Sequence, residues 1–225
     1  EGMMKNLPGR LVALSVIVGL AVACGCSRPA GQQPPVPSAS PAFAFVIEPY
    51  PVAPGHNEMT IAWTARLPGD FVVRFGQGRS LDRELLVQPT TQPIEYPARP
   101  PAKGEKPAEQ GPSLVEYQYL AQLTDLLPGT GYSYEVWPAS QPDEGTGRRT
   151  ASVAGTFRTL APPGTPFTFI VCSDSQNGDD FARTAANFAR HKPELIIHAG
   201  DVVDSGGYWP NYRTEFLQRL GPLAR

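Results

Sequence analysis

The chain has 225 residues, with 19 Lys and Arg against 21 Asp and Glu, a formal net charge of -2 and 41% hydrophobic residues, which suits one or two domains with a buried core. This near balance of charge argues against a nucleic-acid binder, which carries a basic patch or stripe. The 26 Pro and 22 Gly follow no Gly-x-y period, which excludes collagen and leaves linkers or a turn-rich β architecture.

The first residues read as an address. Met3 or Met4, then Lys5 and Arg10, then the apolar run from Leu11 to Ala23, reproduce the charged and hydrophobic regions of a secretory signal over residues 1–23. Thirteen apolar or small residues fall short of the roughly 20 needed to span a bilayer. Glu1 and Gly2 stand ahead of the expected start. The run ends in Ala21-Val22-Ala23-Cys24, which resembles a bacterial lipobox with Ala21 where Leu is usual. The resemblance implies lipidation of Cys24, with Cys26 as the fallback. An ordinary secretory signal with incidental cysteines is the alternative. Cys172, inside the apolar run Phe167 to Cys172, reads as a structural thiol and not a nucleophile, because reactive cysteines sit in exposed, electropositive places.

Residues 24–42 form an expected tether, with Pro29, Pro34, Pro35, Pro37 and Pro41 among Gln, Ser and Ala. From residue 43 to residue 160, short period-two runs between turn signals predict an antiparallel sandwich. Met59, Ile61 and Trp63 alternate in one run, and Phe71, Val73 and Phe75 in the next. Val115, Tyr117, Tyr119, Ala121 and Leu123 form the third, and Tyr132, Tyr134 and Val136 the fourth. Gln88 to Pro112 carries seven Pro and scattered charge and reads as a solvated insertion without a strand.

The segment Leu126-Leu127-Pro128-Gly129-Thr130-Gly131-Tyr132 is similar to the tyrosine corner of fibronectin type III domains. That resemblance implies a Tyr132 hydroxyl bonded backwards to the backbone. Gly155 to Thr159 resembles the closing strand of such domains. Together with the address, the segment resembles the domain that precedes the catalytic domain in purple acid phosphatases and their bacterial relatives.

After Ala161-Pro162-Pro163-Gly164 the pattern changes to βαβ over residues 165–225. Phe167 to Cys172 suits a strand buried on both faces. Asp179 to His191 places Phe181, Ala185, Phe188 and Ala189 at helical spacing, and Leu195 to Ile197 forms a second buried run. The strands end in Ser173-Asp174-Ser175-Gln176-Asn177 and in Gly200-Asp201-Val202-Val203-Asp204. Ligands of open α/β sheets bind outside the carboxyl ends of the strands, so Asp174 and Asp201 are expected on one rim. Two carboxylates there suit a two-metal hydrolase.

These residues resemble the calcineurin-like metallophosphoesterases, whose first motif is Asp-x-His and whose second is Gly-Asp. The resemblance implies Asp174 as a terminal ligand and Asp201 as the bridging ligand of two metal ions. Gln176 stands where His is usual; its neutral, hard oxygen tilts the expected metal from Zn towards Mn, Mg or Fe. Asp204 replaces the Tyr that colours purple acid phosphatases, so a colourless protein is expected. As a carboxylate, Asp204 could equally cap the next segment or support the site. His191, at a helix end, and His198, inside a strand, read as structural.

Tyr208 to Leu220 reads as a helix with Trp209, Tyr212, Phe216 and Leu220 on one stripe. The family's later Gly-Asn-His motif and its proton donor do not appear, so the native chain is expected to continue past Arg225 and this portion to be inactive alone. The fold class expected is an all-β, fibronectin III-like sandwich followed by the start of an α/β phosphoesterase domain of the αββα type. The function expected is exported, lipid-anchored hydrolysis of phosphate esters with two metal ions. The alternative is a cell-surface binding module with a degenerate α/β part.

Overall fold

The structure, a computed structural model, describes residues 17–19, 45–101, 112–140, 152–176, 179–204 and 208–220. Cys24, Cys26, the tether, Asn177 and residues 102–111 of the expected insertion lie outside the described residues.

The larger unit is a sandwich of two four-stranded antiparallel sheets. Besides β1 (Ile17–Gly19), which belongs to the smaller unit, the strands are β2 (Phe45–Val52), β3 (Met59–Ala65), β4 (Phe71–Gln77), β5 (Arg83–Val87), β6 (Ile94–Pro97), β7 (Ser113–Leu123), β8 (Gly131–Pro138) and β9 (Val153–Arg158). One sheet runs β2-β3-β7-β6 and the other β5-β4-β8-β9. The alternating residues of β3, β4, β7 and β8 point between the sheets into one core. Val115 and Tyr117, at the start of the β7 run, are only partly buried. Trp63 stacks on Tyr119 with centroids 5.2 Å apart, and Phe71 meets both rings edge-on.

The sandwich is pinned by aromatic hydroxyls. The Leu127 N–H donates to Tyr132 Oη at 2.7 Å, a bond five residues backwards across the turn between β7 and β8. Tyr134 Oη donates to the Pro49 carbonyl, and it lies where a side chain at Gly155 would have to go. A Cβ there would stand 2.4 Å from that oxygen, so this position of β9 requires glycine.

The expectation of no strand between Gln88 and Pro112 is corrected. Ile94–Pro97 pairs with Ser113 to Glu116 at the edge of the sheet. Pro97 is tolerated because it closes an edge strand, and Tyr96 is buried at 4% exposure.

The smaller unit contains β10 (Phe169–Cys172), α1 (Asp179–Phe188) and β11 (Leu195–His198). β10 and β11 are parallel, with Cys172 opposite His198, and α1 lies in the crossover between them. The helix turns to a 3-10 turn over Ala189–His191, which leaves Ala189 exposed, and stops at Lys192 in the left-handed conformation before Pro193. β1, from inside the run expected to be a secretory signal, pairs antiparallel with the outer edge of β11.

A helix over residues 210–220 follows, π-helical over Tyr212–Leu217 and α-helical over Gln218–Leu220. Its Phe216 and Leu220 pack with Phe181, Ala185, Phe188 and Ile196. This covers one face of the parallel pair. Burial of β10 on both faces is therefore corrected: Phe169 and Val171 are 51% and 57% exposed, because no described element packs on their side.

Candidate metal centre

Beyond the strand ends the two loops remain zipped together. The Ala199 N–H donates to the Cys172 carbonyl at 2.8 Å, and the Asp174 N–H donates to the Gly200 carbonyl at 3.1 Å. Asp174 and Asp201 therefore lie on adjacent loops at one rim, 27 residues apart in sequence. Both take left-handed backbone conformations, with φ of 54° and 49°. Aspartate is among the few residues that adopt this region readily. Both residues, and Gln176, are exposed to solvent. Ser173 Oγ donates to Asp174 Oδ2 at 2.5 Å and holds that carboxylate over its own loop.

A buried polar relay that the sequence reading did not identify stands behind the two carboxylates. Ser175 is 3% exposed and His198 5%. The Gly200 N–H donates to His198 Nδ1 at 3.3 Å, so Nδ1 carries no proton and the neutral ring holds its proton on Nε2. Nε2 lies 2.9 Å from Ser175 Oγ and donates to it, and Ser175 donates in turn to the Val202 carbonyl at 2.9 Å. The relay joins the loop of Asp174 to the loop of Asp201. Phe181 and Phe216 meet the imidazole edge-on at 6.1 Å and 5.1 Å. Burial pushes the His198 pKa below its ordinary value, while the charge of Asp174 pulls the other way. A neutral ring is what Nδ1 as acceptor requires. His198 is thus structural, as its place in a strand predicts, and so placed that it braces the rim.

Asp204 lies at the exposed end of the second loop, and its backbone N–H donates to Glu215 Oε2 at 2.8 Å. This bond ties the loop to the 210–220 helix. His191 is exposed after α1, at the end of the crossover remote from the rim. Cys172 is half-buried, and burial pushes its thiol pKa up, which disfavours the thiolate.

In donor chemistry the rim suits a hard divalent or trivalent cation: two carboxylates and one amide oxygen, exposed and on converging loops. Among the described residues, no three His, Cys, Asp or Glu side chains stand close enough to enclose an ion.

Comparison with known proteins places this geometry. Residues 167–225 match the family model of the calcineurin-like phosphoesterases. No curated protein sequence matches the chain. A purple acid phosphatase from yellow lupin (Lupinus luteus) seeds superposes with a TM-score of 0.54 at 17% identity, over 81% of this chain and 34% of its own. PhoD superposes with a TM-score of 0.55 at 14% identity, over 83% of this chain and 38% of its own. The chain thus spans between 34% and 38% of the length of these two structures. The fold is a β sandwich leading into the start of an α/β domain; it is similar to the folds of the purple acid phosphatase and PhoD, and its residues 167–225 are those that match the calcineurin-like phosphoesterase model.

Proposed function

We propose that the chain belongs to an exported, lipid-anchored enzyme that hydrolyses phosphate esters at a two-metal centre to which Asp174, Gln176 and Asp201 contribute. The observation that carries this reading is the pair of left-handed aspartates on zipped loops, inside the segment that matches the phosphoesterase family.

In this reading Asp174 and Gln176 would serve as terminal ligands and Asp201 as the shared ligand, and the ions so held would supply neutralisation of phosphoryl charge and a more acidic water. The protein's own part is positional. Glycine at 200, with φ of 139°, takes a backbone conformation that residues with a side chain rarely adopt, immediately before Asp201. The His198–Ser175 relay keeps the two loops at a fixed separation, and Ser173 orients the Asp174 carboxylate. The exposed rim leaves a phosphate ester free to approach. Gln176 supplies a neutral oxygen, so Mn, Mg or Fe is preferred over Zn. No residue of this chain is assigned as the proton donor to the leaving group. Two metal charges would draw in a phosphate ester without a basic surface, in keeping with the net charge of -2.

Export and anchoring rest on the run ending at Cys24, with Cys26 as the second choice. Removal of that run would vacate the edge of β11 that β1 fills.

The test is hydrolysis of a chromogenic phosphate ester with added Mn by the enzyme that contains this chain. Asp201→Asn should abolish turnover; equal turnover by the variant and the wild type would remove Asp201 from the metal centre. A protein that neither hydrolyses esters nor binds metal would instead be a cell-surface binding module. Cys24→Ser should move the protein from the membrane fraction to the soluble one, and unchanged retention would shift the anchor to Cys26 or reject it.

A further inference from the structure

The sandwich contains a buried carboxylate that its own fold does not explain. Glu116 lies in β7, on the side of the strand opposite the core residues Tyr119 and Ala121, where a glutamate normally meets water. It is nevertheless 1% exposed. Its Oε2 accepts from Thr64 Oγ1 at 2.9 Å and from Trp209 Nε1 at 3.0 Å, and its Oε1 accepts from Tyr96 Oη. Arg66 Nη1 donates to the same Tyr96 oxygen at 3.0 Å. Burial, reinforced by the neighbouring Glu116 carboxylate, pushes the Tyr96 pKa up to about 12, so its hydroxyl keeps the proton that it donates. Two of the three donors belong to the sandwich; the third comes from the other unit, 93 residues away.

Trp209 stands at the head of the 210–220 helix, and Tyr208 before it meets Tyr96 edge-on at 6.3 Å. The same helix buries Phe216 against the face of the parallel pair and, through Glu215, holds the Asp204 N–H at the end of the second loop. A continuous set of contacts therefore runs from Glu116 through Trp209 and the helix to the loop of Asp201. Hydrogen bonds to a buried charge are stronger than neutral ones, and cutting one leaves part of the carboxylate unsatisfied.

We propose that Glu116 is a positioning residue: through Trp209 it fixes the 210–220 helix, and thereby the Asp201 loop, to the sandwich. The sandwich is then a working part of the catalytic frame, where the sequence alone offers it as a spacer or binding module.

Amide hydrogen exchange in the full chain tests this. Trp209→Phe removes the indole N–H together with the five-membered ring that carries it and leaves a smaller aromatic side chain. Exchange at Asp204, whose amide is held by the helix, should accelerate by about tenfold, the effect of losing one hydrogen bond to a charged group. Exchange at Tyr119 and Ala121 in β7 should stay at wild-type rates. Glu116→Gln, which replaces one acceptor oxygen with an amide, should reproduce the effect at Asp204. Unchanged exchange at Asp204 in Trp209→Phe, or equal acceleration in β7, would overturn the proposal.

A second measurement rests on the metallophosphoesterase reading: the dissociation constant for Mn should rise about tenfold in Trp209→Phe, in the range seen for outer-shell partners. Wild-type Mn affinity in that variant would count against the positioning role. Absence of Mn binding in the wild type, together with faster Asp204 exchange in the variant, would overturn the metal reading and support the anchor. The two failures are therefore separable.

Discussion

The sandwich and the α/β segment bury their apolar residues in different ways. In the sandwich two sheets face each other, and Met59, Ile61, Phe71, Val73, Tyr119 and Phe157 have no exposed surface. In the α/β segment, helices cover one face of a parallel pair, while Phe169 and Val171 on the other face stay half exposed. Stability in the first is a property of its own core. Order at the aspartate rim depends instead on a few polar links: two backbone bonds between the loops, the His198–Ser175 relay, Glu215 on Asp204 and the Glu116 anchor. Regions with few buried contacts open locally at lower free energy than a packed core. The rim should therefore yield to single polar changes that leave the sandwich folded, and the sandwich only to changes in its core.

The largest effect belongs to the sandwich core. Trp63→Ala removes a ring stacked on Tyr119 and should destabilise the sandwich by about 3–5 kcal/mol, read as a lower denaturant midpoint. A loss below about 1 kcal/mol would mean that the two sheets can collapse around the gap.

His198→Ala comes next and acts on the other region. It leaves Ser175 and the Gly200 N–H without their partner and should cost about 1–3 kcal/mol of local order at the rim, read as faster exchange at Gly200, with the sandwich midpoint unchanged. The same residue sets a pH dependence. Its folded pKa lies below the ordinary value of 6.5, so the neutral ring contributes stability fully above that value. This contribution declines as pH falls below 6.5, because the unfolded state then binds the proton more readily. A melt of the α/β segment taken at decreasing pH should show this decline in the wild type and not in His198→Ala.

Tyr132→Phe is the smallest change. It removes the acceptor of the Leu127 N–H and should cost about 1 kcal/mol, confined to the sandwich transition.

The sequence made the inner strands readable because β3, β4, β7 and β8 alternate apolar and polar residues around aromatic ones. The edges were harder to read. β2 holds Pro49 and Pro51 and pairs with β3 through register shifts; β5 carries Arg83 and Glu84; β6 lies among prolines. Edge strands tolerate such residues, so composition conceals them. Asp174 and Asp201 were legible as strand-end carboxylates because parallel strands place their ends on one rim. Ser175 and Glu116 were not. Ser175 gains its role from His198, a residue in the neighbouring strand, and Glu116 sits at a solvent-facing register where Thr64, Tyr96 and Trp209, all remote in sequence, supply its partners. Local periodicity has no signal for a partner brought in by tertiary packing.

The most direct test of the central claim is calorimetric titration with Mn of the wild type and of three variants, Asp174→Asn, Asp201→Asn and Asp204→Asn. The first two should lose more affinity than the roughly 10- to 100-fold attached to an outer-shell partner, and Asp204→Asn, whose contact is made by its backbone, should stay close to wild type. Undiminished affinity in Asp174→Asn and Asp201→Asn would contradict that claim.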